Sequence, residues 1–399
     1  MKTLVLYLFM KKQLLKFGAM TFTFVIVCFS VFTLSACRNK DGSGGDDFDF
    51  DLEHYWGNDG YSNGFFWLAG DVHTHSIHSD GTGTMFENFA AARAAGLDYI
   101  GIADHNTASG WQDAVIAGRY HNVIPIRGIE HTRTLNTIRG TGHAIFMNAT
   151  VGDNFFSPDT TIHEQIAAFR AAQSINQSIN QSTGLVYIAH PFALWPIRWC
   201  PDSFDADVNG IEVWCGIYGP RNIATVRAFR KWDELNNQGR RLYGIAASDK
   251  HSPDRGNAPR TFVRTTERNA KGIADGYRRG HMFGTNGPKL GFQVGSNIMG
   301  DTISANGTQL VNFEISAEYT ENLSKLFVIK NGEVVETIEL NSKSFDGNVE
   351  LEISAGDFVR IEVEGFEGNG KRLDQGLTIN NLAFFNSAPF AFTNPIFFD

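Results

Sequence analysis

No GxxxxGK[ST] loop occurs in the 399 residues, and the GxSxG match GYSNG at 60–64 lies ahead of the first predicted strand instead of between a strand and a helix, so neither a nucleotide kinase nor a serine hydrolase has a motif to stand on. Positive charge is outweighed. With 34 Lys and Arg against 43 Asp and Glu, the formal net charge is −9. That balance argues against a surface tracking nucleic-acid phosphates, though it leaves room for a local basic pocket. Cysteine is scarce, at four residues, and two of these lie in the first 37. The remaining pair, Cys200 and Cys215, reads as two separate buried thiols; an oxidising compartment would also permit a disulfide. From about Lys289 onward there is no histidine and no cysteine, so that stretch is assigned no chemistry. What is present is ordinary for a globular chain: 42% hydrophobic and 19% charged residues, enough for a sizeable core in two or three domains.

The first 36 residues read as an address. Lys2, Lys11, Lys12 and Lys16 precede an unbroken apolar run from Phe17 to Ala36, which ends in LSAC with Cys37 last. The pattern fits a secretory signal, and the LSAC box resembles that of bacterial lipoproteins, in which the cysteine is acylated and becomes the new N-terminus. An uncleaved anchor is the alternative, since about 20 apolar residues span a bilayer. Either reading puts the folded part outside the cytoplasm, tied to a membrane on its periplasmic or cell-surface face. Residues 37–65, rich in Gly and Asp, read as a flexible acidic tether.

From residue 66 to 290 short apolar runs alternate with amphipathic stretches. FWLAGDVHTH, LDYIGIADH, NVIPIRGIE, GHAIFMN, LVYIAHPF, NGIEVWCG, RLYGIAASDKH and RTFVRTT read as strands. FENFAAARAAG, residues 158–182 and NIATVRAFRKWDELNNQG read as helices. Such alternation predicts a parallel sheet, and the number of units suits a barrel. Residues 291–399 change style, to short alternating runs split by turns. VIKNGEVVE is a strong hairpin signal, and the region reads as a β-sandwich-like domain.

Polar residues recur at the strand ends, where such folds gather their chemistry. They are His73, His75, Asp80, His105, Glu130, His143, His190, Asp249 and His251. Six imidazoles and three carboxylates brought together would be costly to desolvate without a cation. Nitrogen and oxygen donors without thiolate favour Zn, Mn or Fe, and nine donors suit two or three ions that share a carboxylate. Asp249 and His251 stand two apart, as do His73 and His75, so on strands each pair would face one side.

HTHSIHSDG, IADH, GIE, GHAI, AHP and SDKH, in this order, resemble the PHP (polymerase and histidinol phosphatase) family. The resemblance covers roughly residues 68–290 and implies a distorted (β/α)7 barrel with a di- or trinuclear metal site that hydrolyses phosphate esters. It would place His73, His75, Glu130 and Asp249 around one ion, with Glu130 bridging to the ion held by His105. Asp80, His143, His190 and His251 would complete the other sites. IEVW around Glu212, the NGP at 286–288 and the β domain look closest to an extracellular, carbaryl-hydrolase-like group, whose members also cleave other esters. The implied mechanism is attack on phosphorus by a metal-bound hydroxide, with Asp249, His251 or His190 handling the proton. The implied partners are a small-molecule phosphate ester and, through Cys37, a lipid bilayer; no specific nucleic acid is expected. A carboxyl- or carbamate-ester hydrolase is the nearer alternative, and a surface ligand-binding lipoprotein the more distant one.

Arg198 and Lys250 are the cations read as able to meet a phosphate near the metals. Arg255 is a further charge without a role. Asp104 reads as a support for its neighbours, and Glu212 as either a partner of a ligand or a surface carboxylate. His78 reads as a mouth residue outside the ligand set, and His54, His121, His131, His163 and His281 as unconnected with it.

Overall fold

The computed structural model describes residues 61–62, 64–133, 142–149, 151, 155–178, 184–193, 204–256, 258–366 and 388–399. Cys37, His54, Arg198 and Cys200, with the signal-like segment, lie outside them. Strand β1 (Phe65–Thr74) is followed by helix α1 (Met85–Ala94), β2 (Tyr99–Ile102), α2 (Trp111–His121), β3 (Ile124–Arg133) and β4 (Gly142–Met147). Then come α3 (Ile162–Ser178), β5 (Leu185–Ile188), β6 (Gly210–Cys215), α4 (Ile223–Asn237) and β7 (Tyr243–Ala247). Strands β2, β4, β5 and β6 are buried at every residue, as continuous apolar runs are when both faces of a sheet are covered. Local chemistry sets the helix starts. Thr84 and Glu87 close a reciprocal capping box ahead of α1, and Asn222 caps α4 by accepting from the Ala224 amide. Among the described residues no helix is long and apolar enough to cross a membrane.

β1, β2 and β3 are parallel neighbours, as are β5, β6 and β7. Between the two triplets β4 runs antiparallel to both β3 and β5. This departs from the all-parallel expectation, and chain length explains it. Only residues 134–141 separate β3 from β4, whereas a parallel crossover needs about a dozen or more. At the other end the chain beyond β7 returns beside β1. The Asp249 amide donates to the His73 carbonyl at 2.8 Å, and the His75 amide to the Lys250 carbonyl at 2.9 Å. These two bonds bring the first and last of the seven strands together at the end that carries the polar residues.

β8 (Arg260–Thr265) lies antiparallel to β1 on its other edge, not parallel within the series. Helix α5 (Ala270–Arg279) leads to β9 (Met282–Thr285), which is antiparallel to β8. The longer strands that follow are β10 (Lys289–Val294), β11 (Gln309–Lys330), β12 (Glu333–Ile353), β13 (Phe358–Gly365), β14 (Phe390–Thr393) and β15 (Ile396–Phe398). β11 and β12 form the hairpin read from VIKNGEVVE. Lys330 pairs with Glu333 around Asn331 and Gly332, whose φ values of 54° and 83° are the left-handed pair that a two-residue hairpin turn requires. β14 pairs with both β9 and β13, so the last strands return to the earlier part of the chain. Phe390 and Phe392 of β14 pack in one core with Trp214, Phe229 and Trp232. A second core, around Phe292, Phe313, Ile361 and Phe398, lies among the later strands.

Candidate metal centre

Glu130 sits at the middle of the polar cluster and is fully buried. One carboxylate oxygen lies 2.8 Å from His143 Nδ1 and 3.0 Å from His190 Nε2. The other lies 3.0 Å from His105 Nδ1, 3.3 Å from His73 Nε2 and 3.4 Å from His75 Nε2. Asp249 Oδ1 is 3.1 Å from His75 Nε2 and 3.3 Å from His73 Nε2, and its Oδ2 is 3.8 Å from His190 Nε2. Asp80, half exposed at the mouth, faces His251 Nε2 at 3.3 Å, His105 Nε2 at 3.5 Å and His75 Nδ1 at 3.7 Å. All nine strand-end residues therefore meet in one place.

The routes by which they arrive differ in part from the strand-face argument. Asp249 and His251 lie beyond the end of β7, and Asp249 has a φ of 53°. A left-handed turn, not strand alternation, aims them inward. The hydrogen bonds to His73 and Lys250 hold that turn, and His251 Nδ1 lies 3.0 Å from the Asp249 carbonyl. His190 likewise stands past β5 with a φ of 24°. Asp104 accepts hydrogen bonds from the Ser76 amide at 2.7 Å, the Ser76 hydroxyl at 2.6 Å and the Ser79 hydroxyl at 2.7 Å, and so shapes the loop that carries Asp80. Asp71 accepts from the amides of His73 and Ser248, joining the segment that carries His73 and His75 to the one that carries Asp249 and His251.

The donor set fits divalent ions. Buried without a hydrogen-bond partner are His73 Nε2, His75 Nδ1, His143 Nε2, His190 Nδ1 and one oxygen of Glu130. Orphaned buried donors and acceptors at this density are costly, and a cation removes the cost. Three groups bring their ligand atoms within 4.8 Å of one another: His73, His75, Glu130 and Asp249; His105, Glu130 and His143; and His75, Asp80, His105 and His251. The first group is wholly buried, the last reaches solvent, and Glu130, His75 and His105 are each shared by two groups. Burial pushes the Glu130 carboxyl up, but His143, His73 and His105 outweigh it and hold it well below the ordinary range. Asp249 is likewise lowered against burial, by His73, His75 and His190. Both carboxylates are therefore anionic and ready to bind a cation.

The other sequence readings fall as follows. Lys250 lies beside the cluster, with its Nζ 3.9 Å from Asp254. Arg255 is buried, donates to Asn88 and lies 3.7 Å from Asp71. His78 turns to Ser109 and Asp113, outside the three groups. His131, one residue past Glu130, faces Asn106 and is pushed down to about 4 chiefly by burial. Cys215 is a free buried thiol 3.8 Å from Asp249. Glu212, left open by the sequence, is fully buried against His73, and Thr132, which the sequence did not single out, meets the His105 ring. Thr132 carries no signal beyond its place at a strand end, two residues after Glu130.

Residues 71–173 match the PHP domain family. The PHP match takes in His73, His75, Asp80, His105, Glu130 and His143; His190, Asp249 and His251 lie after it. No curated protein matches the chain. Solved structures similar to it include a two-domain protein of Bacteroides vulgatus described as containing a predicted PHP-like metal-dependent phosphoesterase. That protein is 18% identical over 75% of this chain and 91% of its own, with a TM-score of 0.45. An amidohydrolase from Chromobacterium violaceum is 17% identical over 46% of this chain and 88% of its own, with a TM-score of 0.31. A candidate metal-dependent phosphoesterase from Bifidobacterium adolescentis is 19% identical over 46% and 88%, with a TM-score of 0.35.

Proposed function

We propose that the protein is a metal-dependent phosphoesterase acting on small phosphate esters with two or three divalent ions, Zn, Mn or Fe. The observation that carries this is the convergence of six imidazoles and three carboxylates with five orphaned buried atoms, in a chain whose residues 71–173 match the PHP domain. His73, His75, Glu130 and Asp249 would hold the buried ion, and Glu130 with His105 and His143 a second. Asp80, His105 and His251 with His75 would hold one nearer the mouth, and His190 would join through its contact with Glu130. Such ions lower the pKa of coordinated water to about 7 and stabilise charge on a phosphoryl group under attack. The chain's own part is to hold three carboxylates among six imidazoles, to keep water out behind Glu130, and to leave Asp80 and His251 open to solvent where the ester enters. His251, anchored through Nδ1 to the Asp249 carbonyl, would present its Nε2 to the ion at the mouth. Lys250 and Arg198 are the cations assigned to the departing phosphate.

The frame proposed for this site is a distorted seven-stranded barrel of β1–β7, with a sandwich-like β region following. Closure of β7 on β1 supports the barrel. The proposed setting is extracytoplasmic, on a lipid attached to Cys37. A fatty-acid probe should label the wild type and not Cys37→Ala; equal labelling would remove the anchor. The functional test is hydrolysis of model phosphate monoesters, diesters and carboxyl or carbamate esters with added Mn, Zn or Fe. Metal-dependent phosphate release is expected. Cleavage of carboxyl or carbamate esters alone would transfer the same site to the other ester class.

A further inference from the structure

We infer that Glu212 is a positioning residue that fixes His73 as a metal ligand through its Nε2 while holding the strained backbone of His190, so that one carboxylate sets two ligands at once. The inference rests on the metal-centre reading above. Glu212 projects from β6, between the strands that lead to His190 and Asp249, and is 1% exposed. Its Oε1 lies 3.0 Å from His73 Nδ1, and its Oε2 accepts the His190 amide at 2.7 Å. A carboxylate that only accepts requires the proton on His73 Nδ1. The lone pair then falls on Nε2, the atom 3.3 Å from both Glu130 and Asp249. Such an outer carboxylate orients the ring and makes it a stronger donor to a metal. The other oxygen holds His190, whose φ of 24° is a conformation that non-glycine residues adopt only when their surroundings impose it.

The two partners share one property: both are donors, the His73 ring N–H and the His190 amide. Glutamine fills the same volume but offers one acceptor oxygen and one NH2 group. Turned to satisfy His190, it presents NH2 to His73 Nδ1 and drives the proton to Nε2, which blocks the ligand atom. Turned to satisfy His73, it sets NH2 against the His190 amide. The site therefore specifies glutamate by charge and by hydrogen-bond direction, not by shape.

The test is zinc titration of the full chain by chelator competition, with bound zinc counted and the imidazole N–H region recorded by proton NMR. In Glu212→Gln the affinity of the buried ion should fall about 10–100-fold, the range for loss of such an outer partner. The ion at Asp80, His105 and His251 should be retained, and a downfield Nδ1–H resonance of the zinc-loaded wild type should be lost. Glu212→Asp keeps the charge with a shorter reach and should fall in between; it carries the test if the Gln variant does not fold. Wild-type zinc number and affinity in both variants, with the resonance unmoved in the Gln variant, would overturn the inference. A wild type that takes up no zinc would overturn both it and the metal centre. A wild type that binds zinc but cleaves no phosphoester would remove only the phosphoesterase reading.

Discussion

At Asp249 the charge of the cluster and its geometry meet. Its carboxylate reaches His75, His73 and His190 within 3.8 Å, and its backbone amide is tied to His73. Asp249→Ala removes a ligand and unbalances the buried charge, so turnover should fall by orders of magnitude with a reduced metal content while the fold remains. His78→Ala, where the native ring meets Ser109 and Asp113 outside the cluster, should cost far less. Phosphate release and bound metal measured on the same samples decide it, and an Asp249→Ala protein with wild-type rate and full metal would displace the site. The nine residues were legible in the sequence because donors at successive strand ends are a pattern that no apolar core needs. Glu212 was harder. A lone carboxylate inside an apolar strand looks the same whether it faces solvent or a histidine ring, and only the fold shows which.

Elements place the site through their ends, and the loop from Ser76 to Asp80 shows how. It has no regular structure to hold it, yet Asp104 takes three hydrogen bonds from it. Asp104→Ala should loosen that loop, weaken the ion shared by Asp80, His105 and His251, and leave the wholly buried group filled. A zinc titration that loses the buried ion first, or loses none, would contradict this. The succession of strands and helices could be read from apolar runs, Gly stops and caps. Strand direction was less accessible, because an apolar run is the same read either way. For β4 the eight-residue separation from β3 held the information, since so short a link cannot carry a parallel crossover. For β8 and β9 the pairing is with β1 and β14, distant in sequence, and no local signal reports that.

Across the whole molecule, the later strands are joined to the earlier elements by charge and by core. Arg360 is bound between Asp233 of α4 and Glu362, and Arg221 reaches Glu362 and Glu364. Burial pushes the Glu362 carboxyl up, but Arg360 and Arg221 outweigh it and lower it below the ordinary 4.5. The stability this lends is complete above about 4.5 and is lost as pH falls through the lower folded-state value. Asp233, raised by burial, acts in the opposite sense. Glu362→Gln should cost about 3–5 kcal/mol near neutral pH, as breaking a buried pair does, and the deficit should shrink toward pH 3. Urea midpoints that fall in parallel for both proteins over that range would refute it. The final prediction concerns where the fold can be cut. A fragment of residues 60–290 contains all nine residues of the polar cluster, and the sequence alone, with its change of pattern near Lys289, suggests that it is a unit. It lacks Phe390 and Phe392, which stand 5.4 Å from Trp214 and 4.9 Å from Phe229 between ring centroids. Deleting one buried phenyl costs about 3–5 kcal/mol, and a whole domain has only about 5–15 to lose. The fragment also leaves β9 without its partner β14. It should therefore be unfolded by circular dichroism and bind no zinc at the buried group, whereas a chain lacking only residues 1–60 should fold and bind zinc there. A soluble, folded 60–290 fragment with a full metal complement would show that the core around Trp214 closes without the returning strand, and that the later strands are an appendage to the site instead of part of its support.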